Sequence, residues 1–296
     1  MSELGDFLRS RRAAVRPEDF GMPTGSARRR VPGLRREELA LLAGISSDYY
    51  IRLEQGRTRN VSDAVLDAVA DALQLGEDER TYLRNLARPA QGRRRAARPQ
   101  RVRPGLLRLL ESLHDVPAFV MGRRMDVLAW NALASVAVAD FGALAPRDRN
   151  VAKHVFLFEG PDRYVEFEKI AKECVGHLRA YAGRHPGEPE MASLIGELSL
   201  GSEVFRRLWA GHTVQEKTHG TKLMRHPAVG EYTMAYETLP LPDDPDQALV
   251  TYTVAAGSES ETSLRLLAGW TAGASRPAAP GRPAPAPATA PGQQPR

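Results

Sequence analysis

Cysteine is almost absent from this chain of 296 residues: it has one, Cys174. A single thiol excludes an internal disulfide and any zinc site built from several cysteines. Long apolar runs are absent as well. No stretch approaches the roughly 18 apolar residues of a membrane span, and the opening MSELGDFLRSRR is charged where a signal peptide needs an apolar core. A cytoplasmic protein with no membrane partner is expected. The commoner enzyme signatures are missing: there is no GxxxxGK(S/T) phosphate loop, GxGxxG turn, HExxH zinc pair or GxSxG nucleophile elbow. His212, His219 and His226 recur every seven residues, but a loop-and-strand segment would not hold them on one face. Cys174 falls on the apolar face of a helical pattern and reads as packing, not as a nucleophile. No enzymatic activity, cofactor or metal is expected.

What is present is the composition of a soluble globular protein, 42% hydrophobic and 26% charged, with length enough for about two domains. The net charge of +5 is unevenly spread. Residues 1–103 hold 21 arginines against 14 Asp and Glu, whereas residues 104–296 hold 20 Lys and Arg against 22 Asp and Glu. The basic excess therefore lies in the first third of the chain, as when one domain meets a polyanion and the other does not.

Within that third, Leu34–Asn60 reads LRREELALLAGISSDYYIRLEQGRTRN. The spacing predicts a first helix over Arg35–Ala43 with Leu39, Ala40, Leu42 and Ala43 inward. Gly44 stops it, since a residue without Cβ can take the left-handed turn conformation. Ile45 plugs the angle, Ser46 is an N-cap, and a second helix runs to Gln55 and ends at Gly56. Tyr50 and Leu53 face inward; Ser47, Asp48, Tyr49 and Arg52 face outward. A helix presented in this way fits the major groove of B-DNA, where Arg can bond guanine, Asp can accept from cytosine and Ser can serve either kind of base. Arg57 and Arg59 follow, suited to phosphates. The plain alternative is a helical hairpin with a polar outer face.

Around this stretch the pattern predicts an all-α domain over 1–88. A helix spans 3–15, with Leu4, Phe7 and Leu8 inward. A loop over 17–33 carries Arg28, Arg29 and Arg30, either solvated or gripping phosphate or minor groove. Ser62 caps a helix that buries Val65, Leu66, Val69, Ala70 and Leu73, and Glu77–Ala87 forms a fifth, acidic in its first turn. Residues 89–103 form a basic linker. From 104 to 270 the pattern is mixed α+β. A helix is expected over 105–114, then strands Ala118–Met121 and Met125–Trp130 joined at Gly122-Arg123, and a short helix Asn131–Val138. A long amphipathic helix Tyr164–Tyr181 follows, then helices near 189–199 and 201–210. Strands Thr221–Arg225, Glu231–Leu239 and Leu249–Ala255 precede a last helix Ser260–Trp270. In the middle strand Tyr232, Met234 and Tyr236 alternate with polar residues, as on a sheet with one buried face. Residues 271–296, rich in Pro and Ala, are expected to be disordered.

Two resemblances sharpen this reading. The segment ELALLAGIS-DYY-RLEQG resembles the helix-turn-helix of lambda-repressor/Cro-like (XRE-type) regulators through Glu38, Leu39, Gly44, Leu53, Glu54 and Gly56. That resemblance implies a phosphate contact for Arg36 and base-reading positions for Ser47, Asp48 and Arg52. The departure is Ser-Asp where many members carry Gln or Asn; phosphate repels Asp48, whose expected task is then to orient Arg52. The second half is similar to the ligand-binding domain of MmyB-like transcription regulators through Val127–Ala134, Glu197–Val214 and Gly220–Pro242. The implied architecture is an all-α helix-turn-helix N-terminal domain followed by an α+β PAS-like C-terminal domain that holds a small hydrophobic, fatty-acid-like ligand.

On these grounds the recognition helix, capped by Ser46, reads an operator in double-stranded DNA as part of a homodimer, while Arg28–Arg30, Arg36, Arg57 and Arg59 hold phosphates. Ligand contacts are sought among Trp130, Asn131, Trp209, His212, Met234 and Tyr236, with Arg179 or Lys222 for a carboxylate. Each has a plainer role: core packing for the apolar residues, helix capping for Asn131, surface solvation for Arg179 and Lys222. Three functions stay open: a ligand-responsive regulator, a regulator whose second domain only mediates dimer or partner contacts, and an enzyme fused to a DNA-binding module. The first predicts an apolar pocket, the second a filled core, the third convergent titratable groups in a cleft.

Overall fold

The computed structural model describes residues 2–22, 33–58, 60–88 and 99–274, without the side chains of 245 and 272–274. The expectations for Arg28, Arg29, Arg30 and Arg59, for most of the basic linker and for the tail beyond 274 lie outside these residues.

The N-terminal part is helical: α1 (Glu3–Ala14), a 3-10 turn Pro17–Phe20, α2 (Arg36–Leu42), α3 (Ser47–Glu54), α4 (Asp63–Ala72) and α5 (Glu77–Ala87). Side-chain caps at Ser2, Ser46 and Ser62 start α1, α3 and α4 by accepting backbone N–H groups that have no partner inside the helix. Phe7, Leu8, Leu34, Leu39, Tyr50, Leu53, Leu66, Val69 and Tyr82 pack into one core. The ring of Phe7 meets that of Tyr82 edge-on at 5.1 Å. Two residues from far along the chain, Ala180 and Val214, complete this core.

The second part starts with α6 (Pro104–Ser112), β1 (Ala118–Met121), β2 (Val127–Trp130) and α7 (Ala132–Ala137). It continues with α8 (Val151–Leu157), α9 (Gly160–Arg163), α10 (Phe167–Arg184), α11 (Pro189–Gly201) and α12 (Glu203–Ala210). Strands β3 (His219–His226), β4 (Gly230–Leu241) and β5 (Asp244–Thr253) and helix α13 (Glu259–Ala274) complete it. The strands form one antiparallel sheet in the order β2-β1-β5-β4-β3. Opposite neighbours Lys222 and Met234, Tyr236 and Tyr252, and Phe119 and Val250 fix its register. With a side-chain period of two, Phe119, Met121, Met224, Tyr232, Met234, Tyr236, Val250 and Tyr252 share the inner face. They pack against α7, α8, α10, α12 and α13. The outer face is covered at one end, where Leu106 and Leu110 of α6 meet Val120 and Leu249.

Three expectations change. The turn after β1 is not a two-residue hairpin: residues 123–125 form a 3-10 turn in which Arg124 and Met125 have φ of 55° and 66°. Arg124 is held there by ion pairs to Asp126 and Glu188, and strand β2 begins two residues later than its apolar run. The long helix begins at Phe167 rather than Tyr164, because Tyr164 makes a β-bridge with Met224. Two helices, α8 and α9, lie where the sequence reading assigns no element. Helix α8 is short, capped by Asn150, and buries Lys153 and His154 among apolar neighbours, so no amphipathic stripe marks it.

Candidate DNA-reading helix and ligand cavity

The helix-turn-helix is built as its residues dictate. Gly44 takes φ +65° between α2 and α3, a conformation that costs an L side chain roughly 1–2 kcal/mol. Ser46 accepts the Tyr49 N–H at 3.2 Å. Tyr50 and Leu53 are sealed in the core, which leaves Asp48, Arg52 and Arg57 exposed and Ser47 and Tyr49 half-buried along the outer side of α3. Arg52 does not turn to Asp48. Its guanidinium rests over the Tyr49 ring at 5.9 Å, and among the described residues Asp48 has no ion-pair partner, so the idea that Asp48 orients Arg52 is corrected.

Arg36 also differs from a free phosphate ligand. Its guanidinium donates to Glu54 at 3.0 and 2.7 Å. Glu54 is 3% exposed and also accepts from buried Arg12 at 3.1 and 3.3 Å. Burial pushes the Glu54 carboxyl up, but hydrogen bonds from Arg12 and Arg36 and their charges outweigh it and hold the group below its ordinary value. The sequence reading used Glu54 as a family mark and missed its partner. The helical pattern of residues 3–15 sets Arg12 outward with Arg9 and Arg16; it is instead buried, because it continues the Leu4–Leu8 stripe at a spacing of four, where a lone cation has to find a carboxylate.

The second site is a cavity of about 70 Å³, room for several water-sized groups. Sheet residues Phe119, Met121, Lys222, Tyr236, Val250 and Tyr252 form its floor, and Ile170, Glu173, Cys174 and His177 of α10 its roof. The lining is mostly apolar with a few polar groups, among them Glu173, His177, Lys217 and Lys222, the kind of lining that small-molecule pockets have. Lys222 is the notable member. Its ammonium lies 4.7, 5.7 and 5.8 Å from the ring centroids of Tyr236, Tyr252 and Tyr164, and no carboxylate pairs with it among the described residues. Near the mouth Lys217 pairs with Glu173 at 2.7 Å. Cys174 is buried with its Sγ 3.6 Å from the Met125 Sδ, and burial pushes the thiol up to about 12, in line with packing. His177 is held below the ordinary imidazole value by burial.

Of the ligand contacts expected from sequence, Lys222 and Tyr236 line this cavity and the others do not. Met234 is fully buried opposite Lys222, in the core proper. Asn131 is a cap: its Oδ1 accepts from the Ala118 and Ala134 N–H groups, and its Nδ2 donates to the Leu113 and Val116 carbonyls. With all four bonds used inside the fold, it has nothing left for a ligand. Trp130 stands beside Phe141, 5.7 Å away, with Arg149 over its ring at 5.1 Å. Arg179, Trp209 and His212 form a separate group where the two halves meet. Arg179 is 1% exposed, not a surface residue. It sits 4.1 Å over the Trp209 ring and bonds the Trp209 carbonyl and His212 Nδ1. Burial and the Arg179 charge bring His212 down to about 4. The residues missed by sequence, Glu173, His177 and Lys217, lie on a helix and a loop that only tertiary contact brings to the sheet. For Glu173 and His177 the usable signal was their spacing on one side of α10 with Ile170 and Cys174.

Two family profiles match the chain. The MmyB-like transcription regulator ligand binding domain matches residues 102–267, and a helix-turn-helix domain matches residues 3–83. The search of curated proteins returned no match.

Proposed function

The chain belongs to the MmyB-like transcription regulators, and from that premise we propose that this DNA-binding transcriptional regulator changes its operator affinity when a small acidic, fatty-acid-like molecule occupies the α10–sheet cavity. The observation that carries the ligand class is Lys222. A cation at the wall of a mostly apolar cavity, faced by three tyrosine rings and paired with no carboxylate among the described residues, suits an anionic head group whose alkyl chain lies among Phe119, Met121, Val155 and Ile170. The cavity of about 70 Å³ is the seat of this reading, and an alkyl acid enters it only as α10 and the sheet part further, since ligand pockets span about 300–1,000 Å³. On the DNA side, Ser47, Asp48, Tyr49 and Arg52 are the base-facing set, Ser46 is the cap that orients the helix, and Arg57 is a phosphate contact. Arg28, Arg29, Arg30 and Arg59 belong to the same proposal on charge alone. Arg36 reaches phosphate only from its pairing with Glu54. A homodimer on a near-palindromic operator, with half-sites about one helical turn apart, and a cytoplasmic setting complete the reading.

The test is calorimetric titration of the full chain with octanoate and with octanol. Octanoate is expected to bind, octanol to bind more weakly, and Lys222→Met to weaken octanoate by about tenfold or more, about 1.4 kcal/mol. Equal affinity of wild type and Lys222→Met for octanoate would remove Lys222 from the reading. No binding of any alkyl acid from six to sixteen carbons (about 8–21 Å extended) would remove the ligand class.

A further inference from the structure

Helix α10 faces two ways. Its first half roofs the cavity with Ile170, Glu173, Cys174 and His177. Its last turns belong to the other half of the molecule: Ala180 is buried in the N-terminal core, and Gly183 lies against Tyr82 of α5 so closely that an added Cβ would stand 2.3 Å from the ring's Cδ2.

The segment 211–218, between α12 and β3, is tied at both ends of that path. On the N-terminal side, Ser10 Oγ donates to the Gly211 carbonyl at 3.3 Å and Arg11 donates to the His212 carbonyl. Val214 is buried in the N-terminal core, and the Glu216 N–H donates to Asp78 in the first turn of α5 at 2.8 Å. On the cavity side, Lys217 pairs with Glu173 at the mouth, and the Thr218 carbonyl accepts from the Thr238 N–H at 2.6 Å. Between these ends the backbone lies on Gly176, where an added Cβ would stand 2.9 Å from the Gln215 nitrogen. Only two residues, Gln215 and Glu216, thus separate a side chain plugged into the DNA-binding core from one paired across the cavity mouth, three steps along the chain. That is about 10 Å of extended chain, too short to take up a shift at one end without passing it on.

We propose that segment 211–218 is the link through which cavity occupancy reaches the DNA-binding half, with the Glu173–Lys217 ion pair as its switch. An acidic head group held by Lys222 also draws on Lys217, the second lysine of the lining, in competition with Glu173. Loss of the Glu173 pair shifts Lys217, and the displacement moves Val214 and Glu216 against α5. The ligand shifts DNA affinity only as far as it favours one arrangement of this link over the other. The link itself is a property of the empty chain; only its operation by an acid rests on the reading of the cavity given above.

Hydrogen exchange of the full chain tests both separately. Lys217→Met keeps the aliphatic stem and removes the charge at an exposed position. Lys169→Met, on α10 like Glu173 but paired with Glu166, is the control. Lys217→Met is expected to speed exchange of the amides of α5 and around Val214 by about threefold or more, and Lys169→Met to leave them unchanged. Octanoate is expected to alter the same amides in wild type and not in Lys217→Met. Unchanged α5 exchange in Lys217→Met overturns the link. If octanoate fails to bind wild type while Lys217→Met still alters α5, the link stands and the ligand reading falls. Octanoate that binds wild type yet changes only amides of the cavity overturns the link and leaves the ligand reading intact.

Discussion

Removing the Glu54 carboxylate should cost the DNA-binding half more stability than any other change to its polar side chains. Four hydrogen bonds converge on this carboxylate, two from Arg12 and two from Arg36. The two arginines differ in what happens when it is lost. The Arg36 side chain is 47% exposed and recovers water, so its share is that of a surface pair, about 0–1 kcal/mol. Arg12 is 8% exposed and keeps the Leu34 carbonyl at 2.8 Å and the nearby Tyr50 hydroxyl, with no other carboxylate in hydrogen-bond contact among the described residues; a stranded buried cation costs about 3–5 kcal/mol. Glu54→Ala should therefore destabilise by about 3–5 kcal/mol and Arg36→Ala by under about 1 kcal/mol. With a urea dependence of about 1–3 kcal/mol per molar, Glu54→Ala lowers the midpoint by roughly 2 M. Trp130 and Trp270 lie in the second half and Trp209 where the halves meet, so tryptophan fluorescence does not isolate this unit, and exchange of α1 and α3 amides in urea is the readout. The pH dependence has a definite sign. The folded carboxyl lies below its ordinary value, so its stabilisation is complete above about pH 5 and is lost as pH falls through the folded pKa. Equal losses for Glu54→Ala and Arg36→Ala, or a loss under about 1 kcal/mol for Glu54→Ala, would refute the assignment of the cost to buried Arg12.

Arg52→Ala should relax operator preference at one base position by about 1–3 kcal/mol; selection from a random duplex pool that returns the wild-type site unchanged would take the reading role from Arg52. Arg57→Ala should weaken all duplexes about equally and lower the slope of log K against log salt by roughly one unit, and a site-selective loss in fluorescence anisotropy would argue for a base contact instead. His154 is buried, its Nε2 without a hydrogen-bond partner among the described residues, and burial with the nearby Arg163 and Lys222 charges brings it down to about 4. The unfolded chain takes up its proton first, so the second half should lose up to about 3 kcal/mol between pH 6.5 and 4. His154→Phe should flatten that part of the stability profile followed by tryptophan fluorescence; an unchanged slope would mean that His154 is already charged in the fold.

The DNA-reading half was legible because its signals are local. A helical period in Leu39, Ala40 and Ala43, a glycine free to take positive φ at residue 44, and a serine able to cap at residue 46 each act within one or two turns of chain. They determine α2, the turn and α3 almost alone. In the same way the alternation of Tyr232, Met234 and Tyr236 announces a strand with one buried face. The cavity was only partly legible. Lys222 and Tyr236 alternate on neighbouring strands and could be read as candidates. Nothing in sequence tells Lys222 that Tyr164, some 58 residues earlier, and Tyr252, 30 later, will face it. Arg179 was misjudged for the same reason, and only the capping bonds decide between the two roles open to Asn131. A polar side chain takes its role from the partners that satisfy it, and those partners are carbonyls and rings delivered by distant segments. The sequence by itself therefore determined the elements, their inward faces and the basic character of the DNA-binding half. The tertiary structure alone decided which charges are spent inside the fold, as in Arg12, Arg36 and Glu54, and which meet aromatic rings but no carboxylate among the described residues, as does Lys222 at the cavity wall, because charge pairing depends on distances through space that local periodicity does not encode.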